Sequence, residues 1–198
     1  MSIAQRLPQQ EAQAESQKPR VRLLQAASRL FYAEGIRGVG VDRIAEQANV
    51  TKATLYRIFE SKENLTVEYL RERHQDAIST LRASADDQAT PRERALAAFD
   101  ALRHKASDPS FRGCAFVMAV GEHPESMSIG EVAREHKQAV RAHFKDVLAP
   151  TSLAPSLADY LALLYDGALA RVAIERCPTP VDIARACAAQ LLDGLPHQ

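Results

Sequence analysis

The chain has 198 residues, of which 46% are hydrophobic and 25% are charged, a composition typical of a globular protein with one or two small domains. No apolar run approaches the roughly 20 residues that a membrane-spanning helix needs, and the first residues lack a signal-peptide pattern, so the sequence predicts a cytoplasmic protein without membrane contact. The three cysteines show no paired metal-binding spacing, which agrees with a reducing compartment.

The formal net charge of zero hides an uneven distribution. Between Lys18 and Lys62 there are nine Lys or Arg and four acidic residues, which leaves a charge of +5 there and −5 in the rest of the chain. A basic segment on a neutral-to-acidic remainder is typical of a protein with a nucleic-acid-binding head. Ordinary scatter of surface charge is the alternative interpretation.

Residues 1–17 are rich in Gln, Ala and Glu and show no lasting apolar period, which predicts a disordered arm or a frayed helix. Basic arms can enter the minor groove of DNA, but Arg6 is the only cation here, so a plain tail is the simpler interpretation. The first helix is expected to open at Pro19, which suits a first helical turn, and to end at Gly35.

Residues 41–65 (VDRIAEQANVTKATLYRIFESKENL) predict two short helices joined by a tight turn, followed by the start of a longer helix. Asn49 tolerates the left-handed backbone that the turn needs, and Thr51 can cap the second helix. The small, polar and cationic side chains near the start of that helix suit entry into a major groove. The residues expected to face inward are Ile44, Ala45, Ala48, Leu55 and Phe59.

This stretch resembles the DNA-binding domain of the TetR family of bacterial transcriptional regulators. The resemblance covers roughly residues 18–73 and rests on residues 24–27 (LQAA), 30–31 (LF), 44–45 (IA), 51–59 (TKATLYRIF) and 61–65 (SKENL). It implies an all-α fold of about nine helices, with a helix-turn-helix head of three helices at residues 18–78, a motif at about 41–60, and a regulatory and dimerisation domain at residues 85–198. Two positions depart from the family pattern: Gly40 replaces a Ser or Thr cap, and Asn49 replaces a turn glycine.

The resemblance also implies which side chains contact double-stranded DNA. Lys62 opens a helix where a cation is unfavourable for the macrodipole, a cost that is explained if it faces a phosphate; a solvated lysine is the alternative. Tyr56 has an alternative role as a packing residue with only its hydroxyl exposed. The predicted phosphate contacts are Thr51, Lys52, Tyr56 and Lys62, the predicted base contacts are Ala53, Thr54 and Arg57, and Arg43 is assigned to either.

The second part of the chain predicts further helices after a domain junction at residues 86–90. One of them, near residues 155–175, is apolar nearly all round, and such a helix usually buries one face against another subunit. The resemblance implies a homodimer in which the last two helices of each chain form a four-helix bundle. The predicted helix starts are Thr90 (capping box with Glu93), Ser128 (capping box with Glu131), Pro155 and Thr179. The predicted interface residues are Leu157, Leu161, Leu164, Ala168, Ala188 and Ala189.

Large apolar side chains of this second domain predict a cavity for a small-molecule effector. Arg103, His104 and Arg141 lie near them in sequence, so the effector is expected to be apolar and to carry a negative charge in some cases. A role as ordinary core is the alternative for each side chain. The predicted pocket residues are Phe99, Phe116, Met118, Phe144, Tyr160 and Tyr165.

The sequence contains no pattern that predicts catalysis, a cofactor or a metal centre. His136 and His143 share a helix face but lie two turns apart, and no known zinc spacing is present. Cys114 lies beside Arg112, yet a role as a small buried side chain is the simpler interpretation. The predicted function is therefore a ligand-responsive transcriptional regulator, in most such proteins a repressor that binds a near-palindromic operator as a dimer. The alternative is a helical small-molecule-binding or interaction protein whose DNA head is inactive.

Overall fold

A computed structural model describes residues 6–85, 89–149 and 154–193, and this part of the chain forms nine α-helices and no β-strand. The predicted all-α fold is confirmed. No helix among the described residues is long and apolar enough to cross a membrane. The helices are α1 (Arg6–Glu34), α2 (Val41–Gln47), α3 (Lys52–Phe59), α4 (Lys62–Ser84), α5 (Pro91–Ala106), α6 (Ala115–Glu122), α7 (Met127–Val147), α8 (Ala154–Glu175) and α9 (Thr179–Asp193).

Helix α1 begins earlier than expected. It starts at Arg6, so Pro19 lies inside the helix and not in its first turn, and the predicted helix start was wrong. Residues 6–17 of the predicted arm belong to α1, and residues 1–5 lie outside the described residues. The first three residues of the predicted junction, 86–88, also lie outside them.

Most predicted helix caps are present. The Thr90 side chain accepts a hydrogen bond from the Glu93 backbone while the Glu93 carboxylate accepts one from the Thr90 backbone, so this capping box is confirmed. The second predicted capping box was wrong. Ser126 caps α7 by accepting from the Ile129 N–H, whereas Ser128 donates its hydroxyl to Glu63 on α4 at 2.6 Å.

The buried side chains form two hydrophobic cores. The first joins α1 to the first half of α4 and includes α6 and the start of α7, with Phe31 and Tyr69 packed edge to face at 5.6 Å. The second joins the end of α4 to α5, the end of α7, α8 and α9, with Phe99 and Phe144 at its centre. Helices α4 and α7 therefore connect the head to the body, because each contributes to both cores.

The interface residues chosen from the sequence lie on the core side of α8 and α9 in the single chain. Leu157, Leu161, Ala168 and Ala188 are buried in the second core, so they have no free surface for a partner, and Leu164 and Ala189 are partly buried against the same core. A helix that is apolar all round does not reveal from its pattern which side faces inward. The large exposed apolar side chains of this region are Tyr160, Leu163 and Ile174 on α8, and Ile183 and Leu191 on α9.

Candidate functional site

The α2–α3 turn is built by a local backbone motif. Asn49 has φ 51°, and its N–H bonds to the Glu46 carbonyl at 2.9 Å while the Val50 N–H bonds to the Ala45 carbonyl at 3.0 Å. These two bonds form a Schellman motif, which needs a left-handed residue where Asn49 stands. The conformation expected of Asn49 is confirmed, and it fixes the direction in which α3 leaves the turn.

Helix α3 presents its polar side to solvent. Thr51 caps the helix by accepting from the Thr54 N–H at 3.2 Å, and its hydroxyl lies 2.9 Å from the Thr54 hydroxyl. Buried Leu55 and Phe59 hold the opposite side against the first core. The predicted contact residues Thr51, Lys52, Ala53, Tyr56 and Arg57 are exposed, and Thr54 is half-buried.

The predicted cations differ in how they are held. Lys52 pairs with Asp42 at 3.0 Å, a hydrogen bond that raises the pKa of the lysine, and Arg43 forms a two-bond pair with Glu34. Arg57 makes no ion pair within the described part of the chain. Lys62 is half-buried with its Nζ 6.0 Å from the centre of the Phe31 ring, and this burial lowers its pKa. Arg57 is therefore an exposed predicted contact without an ion pair among the described residues.

A cavity of about 560 Å³ lies where α1 and α4 meet the body helices. Phe116 and Tyr165 line it, as expected. The other predicted pocket residues do not: Phe99 and Phe144 are fully buried in the second core, Tyr160 is 55% exposed on α8, and Met118 is outside the lining. The cavity depends on how six helices and a loop meet, so side-chain size alone did not identify its wall.

The charges at the cavity also differ from those expected. Arg103 pairs with Asp182 at 2.6 Å and Arg141 pairs with Asp159, so both are engaged elsewhere, while His104 does line the cavity. The cations in the wall are Arg73 of α4 and Lys105 of α5, which the sequence analysis missed. Both lie on the side of their helix that faces inward; Arg73, for example, comes four residues after buried Tyr69. A charged residue on the inward side of a predicted helix was the sequence signal that could have identified them.

A buried histidine forms part of the cavity wall. The His136 ring stacks on Phe116 with the ring centres 3.7 Å apart, and His74 lies edge-on at 5.5 Å. Burial, with a smaller contribution from Lys137, lowers the pKa of His136 to about 3. His136 is therefore neutral at physiological pH and behaves as part of the aromatic wall.

The head is tied directly to the cavity. The Tyr32 hydroxyl of α1 accepts a hydrogen bond from the Arg112 N–H at 2.8 Å and donates one to the Gly113 carbonyl at 3.1 Å, in the loop that lines the cavity. The Arg73 guanidinium lies 3.9 Å from the centre of the Tyr32 ring. A change in the position of this loop would therefore move a helix of the head.

Acidification should destabilise the fold through His136. Its pKa is 6.5 in the unfolded chain and about 3 in the folded one, so between these values the unfolded chain binds more protons, and the free energy of unfolding falls as the pH falls. Lowering the pH from 6.5 to about 5 should remove up to about 2 kcal/mol, which urea denaturation at both pH values measures. His136→Gln should lose this part of the pH dependence. An unchanged pH dependence in the variant would contradict the prediction.

Comparison with known proteins adds evidence that is independent of these contacts. The family model described as "Bacterial regulatory proteins, tetR family" matches residues 23–69. The chain is 30% identical over 173 residues to the HTH-type transcriptional repressor DhaR of Mycobacterium sp. (strain GP1), covering 82% of this chain and 86% of that protein. It is 35% identical over 104 residues to the HTH-type transcriptional activator FasR of Mycolicibacterium smegmatis, covering 50% of this chain and 44% of FasR. The crystal structure of SCO4454, a TetR-family transcriptional regulator from Streptomyces coelicolor, has a TM-score of 0.76 at 30% identity, covering 87% of this chain and 97% of that one.

Proposed function

Because the chain belongs to the TetR family of bacterial transcriptional regulators, we propose that it is a ligand-responsive repressor that binds a near-palindromic operator as a homodimer. The observation that carries this proposal is α3, whose outer side exposes Arg57 without an ion pair in the described part of the chain, while Leu55 and Phe59 anchor the helix from behind. Repression is preferred to activation because the relative named as a repressor aligns over 82% of the chain and the one named as an activator over 50%.

The proposed dimer partner is a second copy of this chain, seated on the exposed side of α8 and α9. Leu163 is 73% exposed and Ile174 is 81% exposed, and with Tyr160 they follow helical spacing along one side of α8. A large apolar side that remains exposed in one protomer favours burial against another protomer. Two heads joined in this way would read successive major grooves if their α3 helices lie ~34–36 Å apart.

The proposed switch starts in the cavity beside Tyr32. A ligand there would contact the loop that the Tyr32 hydroxyl holds, as well as Arg73 in the middle of α4, whose first residue is Lys62 on the head side. Ligand binding releases DNA only if the ligand prefers a head spacing that no longer fits two grooves. A nearly complete switch needs about 5.5 kcal/mol of difference in binding free energy between the two spacings.

Arg57→Ala should weaken operator binding and relax its sequence preference. Loss of an arginine contact to a base edge costs about 1–3 kcal/mol, whereas removal of a phosphate contact weakens all sequences alike. Binding is measured by fluorescence anisotropy on a duplex selected from random DNA and on a scrambled duplex.

Arg134→Ala is the matched control, because Arg134 is an exposed arginine of the body without an ion pair in the described residues. It should leave both affinities unchanged. If Arg57→Ala binds the selected duplex as tightly as the unmodified protein does, Arg57 does not read the operator. If the unmodified protein binds no duplex at all, the alternative of an inactive head is correct.

A further inference from the structure

Two cations in the cavity wall have no acidic partner among the described residues. Arg73 projects from α4 and Lys105 from α5, and both line the cavity. Many other arginines and lysines of the described chain form ion pairs, for example Arg103 with Asp182 and Lys137 with Asp166. No carboxylate of the described residues lies within ion-pair distance of Arg73 or Lys105. The wall therefore holds two positive charges that the protein itself does not neutralise by contact.

The surroundings of Lys105 are unfavourable for its charge. The ammonium is half-buried, and among the described residues it donates a hydrogen bond to the Thr80 hydroxyl at 3.3 Å. Burial lowers the pKa of Lys105, and the positive charge of Arg73 lowers it further, whereas Asp76 raises it. A buried charge without a partner is costly, so an anion brought into the cavity would remove part of this cost.

The acids of the cavity wall leave room for such an anion. The Asp108 carboxylate is held in a turn, where it accepts a hydrogen bond from the Ser110 N–H at 2.8 Å, and this bond lowers its pKa. Asp76 affects Lys105 through space but contacts neither cation. The Arg73 guanidinium and the Lys105 ammonium are thus still available to donate hydrogen bonds to a bound anion.

The rest of the wall is largely apolar and aromatic. Phe116 is stacked on the neutral ring of His136, and the Tyr165 ring contacts Phe99 and Phe144 with centres 5.8 and 6.0 Å away. Such a wall suits the hydrocarbon part of a small molecule, and the volume of about 560 Å³ is within the usual range of ligand pockets. The other apolar lining residues include Leu81, Leu102, Phe111, Val140 and Leu169.

We propose that the cavity binds a small apolar carboxylate, with the carboxylate between Arg73 and Lys105 and the hydrocarbon part against Phe116 and Tyr165. The inference rests on the proposed function, because it takes this cavity as the effector site. In this proposal Arg73 and Lys105, which line the cavity, bind the anion in place of Arg103 and Arg141, the cations expected from the sequence.

Three naphthalene compounds of similar size test the proposal by isothermal titration calorimetry on the full chain. They are 2-naphthoate, 2-naphthylmethanol and 2-naphthylmethylamine, which carry a negative charge, no charge and a positive charge. The anion should bind about tenfold or more tightly than the alcohol, as expected for charge-assisted hydrogen bonds, and the amine should bind most weakly. Equal binding of all three, or preference for the amine, would overturn the proposal, as would the absence of any binding at about 1 mM.

Substitutions locate the preference within the cavity. Lys105→Met and Arg73→Gln should each reduce the anion's advantage over the alcohol about tenfold, whereas Asp76→Asn should increase the affinity for the anion, because it removes a negative charge from the wall. The matched controls are Lys145→Met, on the exposed side of α7, and Arg71→Gln, which removes an arginine paired with Glu68. An anion preference that survives both cavity variants, or one lost equally in the controls, would contradict the assignment.

The test of the carboxylate site can fail independently of the test of the proposed function. Operator binding without ligand is measured on the same proteins by anisotropy, so a failure of anion binding beside intact operator binding rejects only the carboxylate site. Intact anion binding in a chain that binds no operator rejects the regulator function and leaves the site. Asp76→Asn is expected to increase the affinity for the anion, and an unfolded variant could not show such an increase.

Discussion

Leu163→Arg should split the dimer and lower operator affinity at least about a hundredfold. Leu163 is 73% exposed on the side of α8 that is proposed to face the partner, so an arginine there would bury an unpaired charge in the dimer and cost several kcal/mol. A single protomer would then hold one half-site instead of two and lose the joint binding of both heads. Sedimentation velocity measures the oligomeric state, and anisotropy measures binding to the selected operator.

Because Leu163 is exposed in the single protomer, Leu163→Arg tests the dimer interface without disturbing the folding of the protomer. Since Leu163 contacts solvent in the protomer, the circular dichroism spectrum of the Leu163→Arg variant should remain that of a helical protein. Val117→Arg is the matched control, because Val117 is a 60% exposed apolar residue of α6 outside the proposed interface. An unperturbed dimer in Leu163→Arg, or equal loss in the control, would place the interface elsewhere.

Gly113→Ala should lower the free energy of unfolding by about 2–4 kcal/mol. Gly113 has φ +90°, which a residue with a Cβ adopts only with strain, and an added Cβ would stand 2.8 Å from the Ala173 Cβ and 3.1 Å from the Leu169 carbonyl oxygen. Its carbonyl also accepts the Tyr32 hydrogen bond that ties the head to the cavity loop. Urea denaturation followed by circular dichroism measures the loss.

Gly121→Ala is the control for this effect. Gly121 lies in α6, and an added Cβ would meet no other atom within 4 Å. Alanine is favoured over glycine in a helix, so this variant should be as stable as the unmodified protein or about 0.5–1 kcal/mol more stable. If Gly113→Ala unfolds at the same urea concentration as the unmodified protein, the close packing of the loop against α8 is wrong.

Features that depend on a few neighbouring residues could be predicted from the sequence. The left-handed Asn49 and the caps at Thr51 and Thr90 are determined within one helical turn, and the structure contains all three. The misplaced cap of α7 shows the limit of such signals. Ser126 and Ser128 suit the same role, and a contact of Ser128 with Glu63, 65 positions away in sequence, accompanies the cap at Ser126.

Features that depend on packing between distant helices could not be predicted. Helix α8 is apolar nearly all round, so its pattern does not distinguish the side facing the core from the side facing solvent. Leu161, predicted at the dimer interface, is fully buried in the core of the single chain. The sequence around Phe99 and Phe116 does not distinguish the two side chains, yet Phe99 is fully buried and Phe116 lines the cavity. Only the arrangement of the helices brings Lys105 of α5 and Arg73 of α4 into the wall of the same cavity.

Titration of the full chain with its selected duplex, at increasing salt and with the stoichiometry determined, tests the regulator function most directly. We expect two chains per duplex, a clear preference over scrambled DNA, and an affinity that falls linearly with the logarithm of salt concentration, with a slope of about −0.9 per phosphate contact. Binding that shows no sequence preference, or no binding at low salt, would contradict a function in reading an operator.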